Sequence, residues 1–178
     1  MKLFPTTLDG AWLIEMLELR DERGFFARTF CADFLRSAGL ESMFPQHSMS
    51  ATVRRGAVRG LHFQNAPAAE VKIVRCLKGA IWDVMVDLRP DSPNFCRWEA
   101  FELSAENRRQ LYVPKGFAHG FQSLVDNVEV AYLISEYYAP DAASGVRYDD
   151  PAFGIAWPLP ITTLSAKDRS WADFKRED

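Results

Sequence analysis

The sequence is poor in cysteine and histidine and carries no excess of positive charge. Each shortage closes off a class of protein. Three cysteines, Cys31, Cys76 and Cys96, are scattered through 178 residues. An odd, scattered set argues against a disulfide framework, and no Cys-x-x-Cys pair is present for a zinc ribbon. Histidine is as rare, with only His47, His62 and His119. The net charge is −3, so no global basic field recruits nucleic acid. The longest uncharged stretch, Pro151 to Ala166, is interrupted by Pro158 and Pro160. It reads as a loop or edge segment rather than a membrane span. The opening Met1-Lys2-Leu3-Phe4-Pro5 lacks the apolar core of a signal peptide. These absences predict a cytoplasmic protein. Low-complexity linkers, internal repeats and heptads are also missing, so one domain over residues 1–178 is the economical reading.

What the chain has in quantity is aromatic surface and short alternating segments. Aromatics make up 13% of residues, which suits a β-rich core or a pocket that stacks flat ligands. Residues 71–77, 81–88, 98–103, 110–113 and 128–134 read as strands. In Ile81 to Leu88 two faces are written. One holds Ile81, Asp83, Met85 and Asp87, and the other holds Trp82, Val84, Val86 and Leu88. Lys78-Gly79 reads as a tight turn that makes residues 71–88 a hairpin. One short helix is expected from Ala32 to the stop at Gly39. Short strands punctuated by Pro and Gly indicate an antiparallel sandwich or barrel with few helices.

Four segments could carry chemistry. Arg59-Gly60-Leu61-His62-Phe63-Gln64 puts an imidazole on a strand, beside an arginine. Histidine titrates near neutrality and can serve as a base without extreme tuning. Pro114-Lys115-Gly116-Phe117-Ala118-His119 is a turn that re-enters a sheet with a histidine facing inward. In Val130-Ala131-Tyr132-Leu133-Ile134, period two turns Tyr132 into the interior. Leu164-Ser165-Ala166-Lys167-Asp168 is a helix start with Ser165 as N-cap. Each has a bland reading: a satisfied core histidine, a core phenol, a cap.

Taken together, these segments resemble the dTDP-4-dehydrorhamnose 3,5-epimerase family, and the likeness runs nearly end to end. It includes Asp21-Glu22-Arg23-Gly24-Phe25-Phe26, Arg59 to Gln64, Asp83 to Arg89, Leu103 to Asn107, Pro114 to Phe121, Tyr137 to Pro140, Asp149-Asp150-Pro151 and Leu164 to Asp168. The resemblance implies an all-β antiparallel jelly roll of cupin-like type. It implies a homodimer, a nucleotide-sugar substrate, and a site that uses no metal and no cofactor. It also implies His62 as base paired with Asp168, Tyr132 as acid on the opposite face, and Lys72 and His119 lining the site. Arg23, Gln46, Ser48, Arg59 and Lys167 would hold the nucleotide diphosphate or its surroundings, and Tyr138 would stack on the nucleobase.

Some positions depart from the family pattern. Arg28 and Ala143 stand where the family has acidic residues, and Gln46-His47-Ser48-Met49-Ser50 replaces Gln-x-Asn-x-Ser. All of these concern substrate binding. Three readings follow: an epimerase acting at C3 and C5, or at one of them; a metal-dependent cupin enzyme using His62, His119 and a carboxylate; and a non-catalytic sugar-nucleotide binder.

Overall fold

The computed structural model describes residues 1–175. In chain order these form β1 (Lys2–Pro5), β2 (Trp12–Glu15), β3 (Glu18–Asp21), β4 (Gly24–Ala27), α1 (Ala32–Ser37), β5 (Gln46–Thr52) and β6 (Val58–Gln64). There follow β7 (Lys72–Lys78), β8 (Ala80–Asp87), β9 (Trp98–Ser104), β10 (Gln110–Val113), β11 (Phe117–Ser123), β12 (Val128–Ile134), β13 (Ala143–Gly145) and α2 (Ala166–Arg169). One sheet runs β1-β2-β10-β7-β12-β5, and the facing sheet runs β13-β6-β11-β8-β9. Every pairing within them is antiparallel, as the expected jelly roll requires.

The main core lies between the sheets. Val74 and Cys76 of β7, Leu111 of β10 and Val130 of β12 meet Ile81 and Met85 of β8, Leu103 of β9 and Phe121 of β11. The opposite face of β8 is not left to water. Val84 and Val86 are covered by Phe153, Trp157 and Phe174 of the C-terminal segment. On the other side of the molecule, α1 seats Leu35 on Ile14, Ile73 and Tyr112. Both faces of β8 are therefore buried, and its two carboxylates are tolerated because each has a partner. Asp87 accepts from the Arg89 guanidinium and the Ser92 hydroxyl at 2.7 and 2.6 Å. Asp83 meets His119.

One expectation fails here. Residues 71–88 do not form a hairpin: β7 pairs with β10 and β12, whereas β8 pairs with β11 and β9. Gly79, at φ +77°, makes a corner from one sheet to the other. A tight turn fixes the change of direction and leaves open which sheet receives the next strand.

The strands that carry the two predicted site histidines, β6 and β11, approach unusually closely. A Cβ built on Gly120 would stand 2.5 Å from the Arg59 carbonyl oxygen and 3.0 Å from the Gly60 Cα. Both obstacles are backbone, so neither can swing aside. Gly120→Ala is therefore expected to destabilise the fold by about 1–3 kcal/mol, the usual cost of overpacking. Urea denaturation followed by circular dichroism measures it, and a midpoint equal to wild type would mean the strands separate freely.

Candidate active site

Residue pairing places His62 and His119 side by side, because the two are register partners on β6 and β11. Each imidazole is set on a carboxylate. His62 Nε2 lies 2.5 Å from Asp168 Oδ1, and His119 Nε2 lies 2.5 Å from Asp83 Oδ1. The two pairs differ in access. The His62 side chain is 45% exposed, whereas that of His119 is 4% exposed and that of Asp83 wholly buried. Burial pushes the Asp83 carboxyl above the ordinary carboxylate range, against the opposing charge and hydrogen bond of His119. Its second oxygen, Oδ2, is buried without a hydrogen-bond partner among the described residues.

Asp168 behaves the other way. Burial would raise its pKa, but the bond and charge of His62, with the Gly60 N–H, more than offset this and hold it below the usual value. The carboxylate stays ionised and holds a proton on His62 Nε2, which leaves Nδ1 with the free lone pair. Asp168 reaches this place through α2. Ser165 caps the helix by accepting from the Asp168 N–H at 3.0 Å. The capping reading of Ser165 is thus met, and the helix it caps sets Asp168 against His62.

Tyr132 comes from β12, on the facing sheet. Its ring meets that of His119 edge-on, with centroids 6.5 Å apart. Its hydroxyl and that of Ser50 are 2.9 Å apart. Burial pushes the phenol well above its ordinary pKa, and the Ser50 bond only partly counters this. Tyr132 is therefore protonated throughout the neutral range. His62, Lys72, His119, Arg59, Ser50 and Tyr132 all line one inner cavity of about 270 Å³. Arg59 is steadied there by bonds to Thr52 Oγ1 and the Ala51 carbonyl at 2.8 and 2.7 Å.

A second, outer cavity of about 320 Å³ adjoins it, since His62, Lys72 and Ile134 line both. Its wall also includes Gln46, Glu70, Tyr138, Lys167 and Asp168. Gln46 Oε1 accepts from the Tyr138 N–H at 2.9 Å, and the Tyr138 ring stands exposed. Gln64, beside the base, commits its amide to the Ala68 and Tyr137 carbonyls and the Ala139 N–H. Among the described residues no group of three or more His, Cys, Asp and Glu is placed to share a metal ion.

Two expected binding residues, Arg23 and Ser48, line neither cavity of the single chain. Arg23 sits at the tip of the β3–β4 hairpin, bonded to Asp21, and lines neither cavity of its own chain. Ser48 faces solvent on the edge strand β5, and it is Ser50 that reaches Tyr132. Sequence reasoning also passed over Glu70, which is buried in an ion pair with Lys72 at 2.9 Å. A signal existed: opposite charges two residues apart at a strand start share one face.

Comparison with known proteins agrees with this geometry. The sequence model of the dTDP-4-dehydrorhamnose 3,5-epimerase family matches residues 5–176. The chain is 44% identical to dTDP-4-dehydrorhamnose 3,5-epimerase of Methanothermobacter thermautotrophicus, over 98% of this chain and 95% of that one. It is 37% identical to a dTDP-4-dehydrorhamnose 3-epimerase of Streptomyces niveus, over 95% of this chain and 82% of that one. Among solved structures it is similar to the Bacillus anthracis dTDP-4-dehydrorhamnose 3,5-epimerase crystallised with TDP and PPi. That similarity has a TM-score of 0.94 at 43% identity, covering 97% of this chain and 99% of the other.

Proposed function

The chain belongs to the dTDP-4-dehydrorhamnose 3,5-epimerase family, and on that premise we propose that His62, Asp168, Lys72 and Tyr132 carry out its epimerisation. The protein is an isomerase that acts on a dTDP-4-keto-6-deoxyhexose. The observation that carries the residue roles is the placement of His62 and Tyr132 on facing sheets, around one cavity that Lys72 also lines.

The chemistry follows from the substrate. In a 4-keto sugar the C–H bonds at C3 and C5 both flank the carbonyl, so removing either proton leaves an enolate. His62 takes the proton, and Asp168 keeps the imidazole in one tautomer and stabilises the imidazolium that forms. The negative charge develops on the C4 oxygen, and the Lys72 ammonium, which lines the same cavity, is a cation suited to meet it. A single well-placed donor of this kind is typically worth about 2.7–4 kcal/mol. Inversion then requires a proton from the other face of the ring, which Tyr132 supplies.

The nucleotide belongs in the outer cavity. Lys167 in the outer cavity and Arg59 in the inner one would meet the diphosphate, and the exposed Tyr138 ring would stack on the base. Arg23 fits this scheme only if a second copy brings it. The β3–β4 hairpin supports that reading, since Phe26 is 69% exposed on it and Leu19 63%. Arg108 fixes the hairpin base through Glu18 and the Phe25 ring. We therefore propose a homodimer, and sedimentation at twice the 20.2 kDa chain mass checks it. We also propose a cytoplasmic location. Among the described residues no disulfide joins the three cysteines, and no helix is long and apolar enough to cross a membrane.

Turnover of dTDP-4-keto-6-deoxyglucose in heavy water tests the reaction. Deuterium is expected at both C3 and C5 of the product. Exchange at C3 alone would reduce the activity to that named for the Streptomyces niveus relative, exchange at C5 alone to a 5-epimerase, and no exchange by folded protein would end the proposal.

A further inference from the structure

Lys72 is given a role by the reaction, but nothing so far accounts for how its ammonium is held in place. A lysine carries a flexible four-carbon stem with freely rotating donors. Here that freedom is removed from below. Glu70 is almost wholly buried, with its side chain 6% exposed. Its Oε1 accepts from the Lys72 ammonium at 2.9 Å, and its Oε2 accepts from the Gln64 N–H at 3.1 Å. Lys72 Nζ in turn donates to the His62 carbonyl at 3.1 Å. These bonds tie β6, which carries the base, to β7, which lies in the facing sheet beside the Tyr132 strand.

We propose that Glu70 is a positioning residue for the epimerisation: through its ion pair it holds the Lys72 ammonium at the junction of the two cavities and sets the gap between the base wall and the acid wall. The inference rests on the role given to Lys72 above. Two of the three ammonium donors are used by Glu70 and the His62 carbonyl, so the direction of the remaining one is fixed. A buried carboxylate without its partner would be costly, which means the pair stands or falls together.

A double-mutant cycle tests this, with kcat, KM, dTDP affinity and thermal midpoint measured for wild type, Glu70→Ala, Lys72→Met and the double variant. Wild-type turnover is measured first. Its absence would sink the reaction assignment itself, independently of Glu70. Given turnover, Glu70→Ala is expected to lower kcat by about 10- to 100-fold, the scale of a catalytic group displaced by roughly 1 Å. KM and dTDP affinity should stay near wild type. In the Lys72→Met background the same substitution should cost no further kcat, and it should raise the thermal midpoint by removing an orphaned buried charge.

Additive losses in kcat, or a loss of dTDP affinity in step with kcat, would overturn the proposal in favour of a purely structural Glu70. So would a Lys72→Met variant as active as wild type. If Glu70→Ala does not fold, Glu70→Gln takes its place in the cycle. It keeps the shape and one acceptor, and the same coupling to Lys72 is required of it.

Discussion

His62→Ala is expected to leave a folded protein that still binds dTDP but turns over the 4-keto sugar at least about 10²-fold more slowly, the lower end of a general-base contribution. The argument is one of access. Two imidazoles stand side by side on β6 and β11, and they differ in access. The His119 side chain is 4% exposed and set against a wholly buried Asp83. His62 opens onto both cavities, and its carboxylate partner is kept ionised. Removing His62 therefore removes the more accessible of the two imidazoles, and His119, held against the buried Asp83, is poorly placed to replace it. Asp168→Asn should approach the same loss while keeping the side-chain volume, because an amide can leave the imidazole in the wrong tautomer. In serine-protease triads that error costs about 10⁴-fold. A coupled assay with a ketoreductase that consumes the product reads both variants. If His62→Ala retained most of its kcat, the base would lie elsewhere, and the outer position of His62 would have to be explained by substrate binding alone.

How much of this was written in the sequence depends on which physical rule each feature obeys. Strand period is a local property, so Tyr132 could be turned inward from Val130 and Ile134, and the two faces of β8 could be separated. Period does not say what covers each face. Val84 and Val86 are buried by Phe153, Trp157 and Phe174, more than sixty residues further on, and no window along the chain contains that contact. The same limit explains the Lys78-Gly79 error. Turn chemistry is local, whereas the choice between hairpin and sheet-to-sheet corner is made by β10, β11 and β12 competing for the free edges. The resemblance supplied the roles of His62, Asp168 and Tyr132, but a resemblance carries residue identities and not their placement, and Arg23 stands on a hairpin away from both cavities of its own chain. Ser48, too, stands outside both cavity walls of the single chain. It shares a face with Ser50 and Tyr132, but it sits where the edge strand has already opened to solvent. Glu70 was legible only in part: its pairing with Lys72 is local, whereas its bond from the Gln64 N–H of β6 depends on how the two sheets face each other.

Tyr132→Phe should separate two events that wild type performs together. The variant loses only a hydroxyl that bonds to Ser50, and the ring keeps its packing beside His119. Proton removal by His62 does not depend on that hydroxyl, so the enolate should still form and its carbon should still take deuterium from heavy water. Reprotonation must then come back from the face of His62, which regenerates the starting stereochemistry. The expected result is deuterium in recovered substrate with epimerised product formed at least about 10²-fold more slowly, a typical loss for one missing acid. Proton NMR of the sugar in heavy water shows both quantities in one experiment. The outcome discriminates between two uses of a phenol beside a ketone. A Tyr132 that stabilised the enolate oxygen would be needed before either event, so exchange and inversion would fall by the same factor. Burial raises the phenol pKa and keeps the proton in place until a strongly basic carbon is presented to it, which is the condition a donor to carbon must meet and one that an enolate satisfies.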